Sequence, residues 1–461
     1  MTTWWAHEPT LRRFIGDLLA AELAQARPGR AAPPPPWPHG VDLVRDLGAD
    51  SLDLLAMGSA LAEALHLHQR GPAGGAHPGP ADRLLALSAL DDWIDAVRTG
   101  LRAQWAAPDG GAGSDADAGA NAAVLTFRTS GSAGTPKRCT HLLATLAQET
   151  LALAQLLPGR RRILSAVPSH HIYGFLFTVL LPRLLGIEDV VDLRSATPDV
   201  LLRGARAGDL VVAHPGWWDA LARLQPRFGA DVAGVTSTAP CPDALADTLA
   251  EAGMRLLQVY GSSETAGVGW RERAGAPFTL FPYWSRVEGA DALARPLPDG
   301  GMARYPLQDR LDWRDAEEEA GRAQGRGGAR EQAGSTGRRF LPGGRIDQAV
   351  QVGGVNVFPG YVAEVLRMHP AVQDASVRLM RPDEGTRLKA FVVPRDGHLH
   401  ATGDAAGDAD GAKDAGGLGA ELAAWIGARL PAPERPAAYT FGARLPRQAS
   451  GKPGDWIIDA G

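Results

Sequence analysis

The sequence predicts an α/β protein whose layered part has an all-α helical bundle in front of it. Three observations carry this. From residue 121 onward, short β-like apolar runs alternate with helical ones, the pattern of a mostly parallel sheet covered by helices. Before residue 106 the pattern is helical throughout. Between the two lies APDGGAGSDADAGA (107–120), a Gly/Ala/Asp-rich stretch with the composition of a linker.

In chain order, LRRFIGDLLAAELA (11–24) reads as an amphipathic helix. RPGRAAPPPPWPHG (27–40) is a loop by composition. In LVRDLGADSLDLLAMGSALAEALHL (43–67), Asp50 or Ser51 caps a helix whose apolar face is Leu54, Leu55, Leu61 and Leu65. LLALSALDDWIDAVRTGL (84–101) adds one or two more helices. Beyond the linker, RILSAVP (162–168), DLVVAHP (209–215), VAGVTST (232–238) and RLLQVYG (255–261) read as buried strands. HLLATLAQETLALAQLL (141–157) and PDALADTLAEAG (242–253) read as helices. Residues 315–337 and 396–417 have the composition of surface insertions, and no internal repeat is visible.

Bulk properties narrow the function classes. The 461 residues suffice for two to four domains. A net charge of −5 carries no nucleic-acid footprint. The two cysteines, Cys139 and Cys241, supply neither a disulfide framework nor zinc-ligand spacing. The N-terminus lacks a secretory pattern, and FLFTVLLPRLLGI (175–187) is broken by Pro182 and Arg183 and too short to span a bilayer. No membrane partner and a cytoplasmic location are therefore expected.

FRTSGSAGTPKR (127–138) has the chemistry of a phosphate cradle. Gly131 and Gly134 let backbone N–H groups converge. Thr129, Ser130, Ser132 and Thr135 add hydroxyl donors, and Lys137 adds a point charge. It is not a G-x-x-x-x-G-K-[ST] loop, because Pro136 precedes the lysine and no Ser or Thr follows it.

Further motifs follow in order: SHHIYGF (169–175), YGSSETAG (260–267), RYPLQDRLDW (304–313), PGGRIDQAVQVGGVNVFPGYVAEVL (342–366) and LPRQASGKPGDW (445–456). With the phosphate loop, they make residues 121–461 resemble the acyl-adenylating superfamily of acyl-CoA synthetases, aryl-acid ligases, luciferases and adenylation domains of nonribosomal peptide synthetases. The resemblance implies a large α/β adenylation domain over 121–346 and a small, mobile α+β C-terminal domain over 347–461. It implies ATP and Mg²⁺, and formation of an acyl-adenylate from a carboxylic acid. Thr129, Ser130, Gly131, Ser132, Gly134 and Lys137 would grip the departing pyrophosphate. Tyr260 and Gly261 would lie by the adenine, Ser263 would donate to the α-phosphate, and Glu264 would bind Mg²⁺. Asp309 would accept from the ribose hydroxyls, Arg345 would stand beside the nucleotide, Asp347 would be the hinge, and Lys452 would bridge carboxylate and α-phosphate. His171 would line the acid pocket, with Trp217, Trp218 and residues 237–240 after neighbouring strands; the rings favour a small aromatic acid such as a hydroxybenzoate.

The chain departs from the family in places. Ser263 replaces the usual threonine, Gln351 a lysine and Tyr361 a glutamate, and the surroundings of Asp309 lack the family's T-G-D. Fewer residues than usual precede the phosphate loop, so the adenylation core reads as truncated at its front.

DLGADSLD (46–53) resembles the prosthetic-group site of acyl carrier proteins, a resemblance covering about residues 8–104. It implies a carrier-protein-like helical bundle over 1–105, a linker over 106–120, and Ser51 as the attachment point for 4′-phosphopantetheine, loaded by a phosphopantetheinyl transferase. Together the two resemblances imply an acid–carrier-protein ligase that loads its own Ser51 or a separate acyl carrier protein. The alternatives are an acyl- or aryl-CoA ligase and a non-catalytic scaffold that keeps the fold.

Overall fold

The computed structural model describes residues 3–27, 33–67, 83–105, 123–129, 137–229, 231–314, 338–346, 349–395, 416–446 and 454–458. The chain divides into two compact units, Met1–Thr129 with Arg138–Gly343, and Ser130–Lys137 with Gly344–Gly461.

Three long helices open the first unit. α1 (Glu8–Ala26) has a proline and Glu8 in its first turn, where the free N–H groups and the helix dipole favour both. α2 (Ser51–Leu65) is capped by Asp50, whose Oδ1 accepts from the Leu52 and Asp53 N–H groups at 2.9 Å each. Asp53 Oδ2 accepts from the Asp50 N–H at 2.9 Å, which completes a capping box. Asp53 also pairs with Arg27, so both acids of the A-D-S-L-D run are engaged in holding helices. α3 spans Leu90–Trp105.

These helices do not form a free-standing bundle. Phe14 through Leu19 of α1 are buried consecutively, so α1 is covered on more than one face. Leu11, Ile15 and Leu19 share one apolar core with Leu61 and Leu65 of α2, and with Leu125 and Phe127 of β1 (Val124–Thr129). Trp4, Phe14 and Phe127 all pack edge-on to Phe175, with ring centroids 5.2–5.6 Å apart. His66 Nε2 bonds Thr126 Oγ1 at 2.9 Å, and Arg128 pairs with Glu63 and Glu22. The helices expected as a carrier-like domain over 1–105 pack within the same compact unit as the main sheet. The expected linker lies outside the described residues.

β1 pairs with β2 (Lys137–Leu142), and α4 (Leu143–Leu156) follows directly. The main sheet is built from β3 (Arg162–Ser165), β4 (Val190–Asp192), β5 (Asp209–Ala213), β6 (Val232–Thr236), β7 (Arg255–Ser262), β8 (Ala266–Arg271), β9 (Phe278–Leu280), β13 (Asp309–Arg314) and β14 (Arg339–Arg345). Three short strands, β10 (Ser285–Arg286), β11 (Ala292–Pro296) and β12 (Met302–Pro306), form a separate sheet. The nine-stranded order is β13-β14-β9-β8-β7-β6-β5-β3-β4. From β4 to β7 all pairings are parallel, and β5 and β6 are buried along their whole length, as a sheet covered on both faces requires. The β7–β8 hairpin then turns the sheet antiparallel. The expected strands are all present; the expectation of a mostly parallel sheet holds for this half only.

The second unit is small and α+β. β15 (Val350–Val352) and β16 (Val355–Val357) form a hairpin, and β17 (Val372–Leu379), β18 (Leu388–Pro394) and β19 (Ala438–Phe441) a three-stranded sheet. The helices Pro359–Arg367 and Gly416–Gly427 pack on it through Val362, Leu366, Leu422 and Ile426. Lys389 is fully buried in β18: its Nζ lies 2.7 Å from Glu384 Oε2 and 3.0 Å from Asp455 Oδ1, and it donates to the Trp456 carbonyl at 2.5 Å. No helix among the described residues is long and apolar enough to cross a membrane.

Candidate active site

The parallel strands end on one side of the sheet, and the sequence motifs follow those ends: Ser169–His171 after β3, residues 237–240 after β6, and Ser263–Glu264 after β7. Ligands in open α/β sheets bind at such carboxyl ends.

The β7–β8 hairpin is closely determined. A Cβ on Gly261 would lie 2.1 Å from the Ala266 carbonyl oxygen, so only glycine closes it. Ala266 takes a positive φ of 59°, and the Ser262 and Thr265 hydroxyls bond each other at 3.0 Å across the turn. Glu264 sits half-buried in that turn, with Ser263 before it. On β7, Tyr260 packs against Phe278 and Phe340, and its hydroxyl donates to Asp309 Oδ2 of β13 at 2.6 Å.

Two buried side chains reach this hairpin from the segment after the phosphate loop. His141 of β2 donates from Nε2 to the Ser263 carbonyl at 2.6 Å. Burial lowers its pKa, so the ring is neutral, and the carbonyl acceptor fixes the proton on Nε2. Glu149 of α4 accepts from the Gly267 N–H at 2.9 Å. The Gly267 carbonyl accepts from Trp284 Nε1 at 2.7 Å and the Tyr283 hydroxyl at 3.0 Å. Burial raises the Glu149 carboxyl to about 7, with Arg295 and the Gly267 N–H pulling the other way. Arg295 lies 4.3 Å over the Tyr283 ring and 4.9 Å over Trp284.

The Ser169–His171 loop is held from α1. Asp17, 2% exposed, accepts from the Ser169 N–H at 2.7 Å and Oγ at 2.6 Å, and Arg194 bonds its other oxygen at 2.5 Å. A Cβ on Gly174 would lie 1.9 Å from the Pro168 carbonyl oxygen, so the loop's tight exit requires glycine. The Tyr173 hydroxyl bonds the Ala213 and Val235 carbonyls at 3.0 and 2.9 Å, tying the loop to the ends of β5 and β6. His170 and His171 have ring centroids 4.2 Å apart. His171 is exposed, and desolvation by the protein around it lowers its pKa. Trp218, expected near the acid, is fully buried in the core beneath the sheet, and Trp217 packs against the same core.

The remaining expected positions divide. Lys137 opens β2 and is exposed. Thr129 ends β1 and Arg345 ends β14. Ser130, Gly131, Ser132, Gly134, Asp347 and Lys452 lie outside the described residues. Ser51 is exposed in the first turn of α2, and the cap is Asp50. Among the described residues no group of three or more His, Cys, Asp or Glu gathers to hold a metal. A single carboxylate in a turn fits Mg²⁺, which takes one or two protein carboxylates and completes its shell with phosphate oxygens and water. Sequence reading missed Asp17, His141, Glu149 and Arg295. For Asp17 and Glu149 the signal was a lone acid within an apolar helix, FIGDLLA and LAQETLALA, where burial demands a partner.

Residues 83–291 match the AMP-binding enzyme family, and residues 361–452 match the AMP-binding enzyme C-terminal domain. The chain is 36% identical over 448 residues to a 4-coumarate--CoA ligase of Halorhodospira halophila, covering 95% of this chain and 97% of that protein. It is 37% identical over 458 residues to a 4-coumarate--CoA ligase of Rhodobacter capsulatus, covering 97% and 100%. Among solved structures, an amide bond synthetase from Marinactinospora thermotolerans shares the fold over 97% of this chain and 93% of its own, with a TM-score of 0.52 at 18% identity.

Proposed function

The chain belongs to the AMP-binding enzyme family, and on that premise we propose that it is an aryl-acid–CoA ligase, activating a small aromatic carboxylic acid with ATP and passing the acyl group to coenzyme A. The observation that carries acid and acceptor is the near full-length match to proteins named 4-coumarate--CoA ligase. So little of the chain falls outside that match that the N-terminal helices lie within it, and they need no carrier role to account for them. The expected acceptor therefore shifts from a pantetheine on Ser51 or on a separate carrier to free CoA.

In the first step a carboxylate oxygen of the acid bonds the α-phosphorus of ATP, and the bond to the bridging oxygen breaks to release pyrophosphate. Tyr260 and Gly261 flank the adenine, and Asp309, oriented by the Tyr260 hydroxyl, accepts from the ribose. Ser263 donates to the α-phosphate, and Lys137 with Thr129, Ser130, Gly131, Ser132 and Gly134 holds the departing phosphates. Mg²⁺, with Glu264 as its protein ligand, would neutralise phosphate charge. Lys452 bridges the two reacting anions, Arg345 stands by the nucleotide, and Asp347 is the hinge for the second step. His171 lines the acid. In the second step the CoA thiol gives up its proton, its sulfur bonds the acyl carbon, and AMP leaves.

The test is incubation with ATP, Mg²⁺, CoA and a panel of 4-coumarate, cinnamate, hydroxybenzoates and a long-chain fatty acid. Chromatography follows the thioester and AMP, and intact mass is measured after treatment with a phosphopantetheinyl transferase. A free aryl-CoA thioester is expected. An acyl group found only on pantetheine at Ser51, a reading that the DLGADSLD run and the exposed Ser51 favour, would replace CoA as acceptor. No adenylate with any acid would leave a non-catalytic scaffold.

A further inference from the structure

We infer that His141 and Glu149 are positioning residues for the nucleotide–metal end of the site, fixing the turn that carries Glu264 from its two sides. The inference rests on the reading of Glu264 given under the proposed function.

Glu264 stands in a short turn between two strands, braced from inside by the Ser262 and Thr265 hydroxyl and backbone bonds. A ligating carboxylate has to be held to about 0.5 Å, which takes support from outside the turn. That support is present on both flanks. His141 holds the carbonyl of Ser263, the residue before Glu264, and Glu149 holds the N–H of Gly267, three residues after it. Both come from one continuous segment, β2 and α4, and that segment begins with Lys137. His141 and Lys137 lie four residues apart on the strand, hence on one face. The β2–α4 segment is therefore the base on which the Glu264 turn rests.

Neither group is placed for chemistry of its own. The His141 proton is committed to a carbonyl, and Glu149 is wholly buried. The approach of Glu149 to the hairpin is so close that a Cβ on Gly267 would lie 2.4 Å from Oε1. Arg295, the charge beside Glu149, is held by α4 itself, donating to the Thr145 carbonyl at 2.8 Å and to Gln148 Oε1 at 2.7 Å. The rings beneath Arg295 donate to the Gly267 carbonyl. Gly267 is thus gripped at both polar groups by one cluster. A role in packing alone would be met by an apolar side chain at 149, without the cost of burying an acid.

The test compares His141→Phe, His141→Gln, Glu149→Ala and Glu149→Gln with wild type and Glu264→Ala, all as the full chain. Gln at 141 keeps a donor near Nε2, and Gln at 149 keeps the acceptor for Gly267. Calorimetry measures binding of a non-hydrolysable ATP analogue over a range of Mg²⁺ concentrations. Adenylate formation and thioester formation from supplied acyl-adenylate are measured separately, with thermal melting as control. His141→Phe and Glu149→Ala are expected to weaken Mg²⁺-dependent binding of the analogue and adenylate formation about ten- to a hundredfold, as for other residues that orient metal ligands. Thioester formation from supplied adenylate stays at the wild-type rate, and the two Gln variants recover most of the loss. Wild-type Mg²⁺ dependence in both disruptive variants would overturn the inference, as would equal loss of both half-reactions together with melting temperature. The underlying reading fails separately, in the control arm, if Glu264→Ala leaves the Mg²⁺ dependence of binding unchanged.

Discussion

The Tyr260 hydroxyl meets Asp309 Oδ2 at 2.6 Å across 49 residues of sequence. This one bond joins β7 to β13, strands that three others separate in the sheet, and presets the carboxylate that the ribose would meet. Loss of a hydrogen bond to a charged group is worth about 1.5–3 kcal/mol. Asp309→Ala is therefore expected to raise the KM for ATP about ten- to a hundredfold with the KM for the acid unchanged. Tyr260→Phe, which removes only the orienting donor, moves the same parameter less. Steady-state kinetics with each substrate varied in turn checks both.

Asp17 tests the N-terminal helix. Asp17→Ala frees Ser169 and leaves Arg194 paired with Asp192, and loss of the hydrogen bonds to the buried carboxylate costs about 1.5–3 kcal/mol. Urea unfolding reads that loss. In the protein that remains folded, the KM for the acid is expected to rise more than the KM for ATP, because the loosened loop carries His171.

Glu149 gives a pH signature. Its carboxyl titrates near 7 when folded and at the ordinary 4.5 when unfolded. Between those values the folded chain holds a proton that the unfolded chain has released. The group's contribution to stability therefore falls as pH rises from about 4.5 to about 7 and is level above. The difference in melting temperature between wild type and Glu149→Gln, measured across that range, is expected to follow this slope. A difference independent of pH would contradict it.

Lys389 anchors the second unit. Lys389→Met removes the buried cation between Glu384 and Asp455, leaving them Arg381 at the edge, and takes the donor from the Trp456 carbonyl. The melting midpoint of that unit is expected to fall by at least about 4–8 °C. Hydrogen exchange is expected to show lost protection in β17 and β18 while β5 and β6 keep theirs.

Much of the large unit was legible because its signals are local. The runs at 209–215 and 232–238 are continuous and apolar, as a strand buried on both faces must be, and they became β5 and β6. YGSSETAG was legible as a motif that follows a strand; the hairpin closed at Gly261 was not, because nothing in the run marks the close approach of the Ala266 carbonyl. The helices at the front were legible as helices but not in their packing. A D-S-L run at a helix start looks the same whether the helix closes a small bundle or, like α2, leans on β1. What distinguishes the two is contact across long sequence separations, such as Asp17 with Ser169, and no periodicity encodes that. Asp53 illustrates the difficulty: within the octapeptide it matched a carrier signature, and in the fold it completes the capping box of α2 and pairs with Arg27. His141 escaped for a related reason. One histidine in KRCTHL has no pattern, and its meaning lies in a carbonyl 122 residues away.

The Asp17–Ser169–Arg194 link also bears on how such proteins can be recombined. A crossover placed in the 27–40 or 107–120 stretch looks safe by composition. It nevertheless parts a carboxylate from the loop it was fitted to. A chimaera that takes its first helix from one parent and its acid loop from another inherits a mismatch at a site neither parent shows as a seam. On the reading proposed for His171, the determinants of acid choice are split along the chain, with one piece at Asp17 and the other 152 residues later, and the two have to travel together.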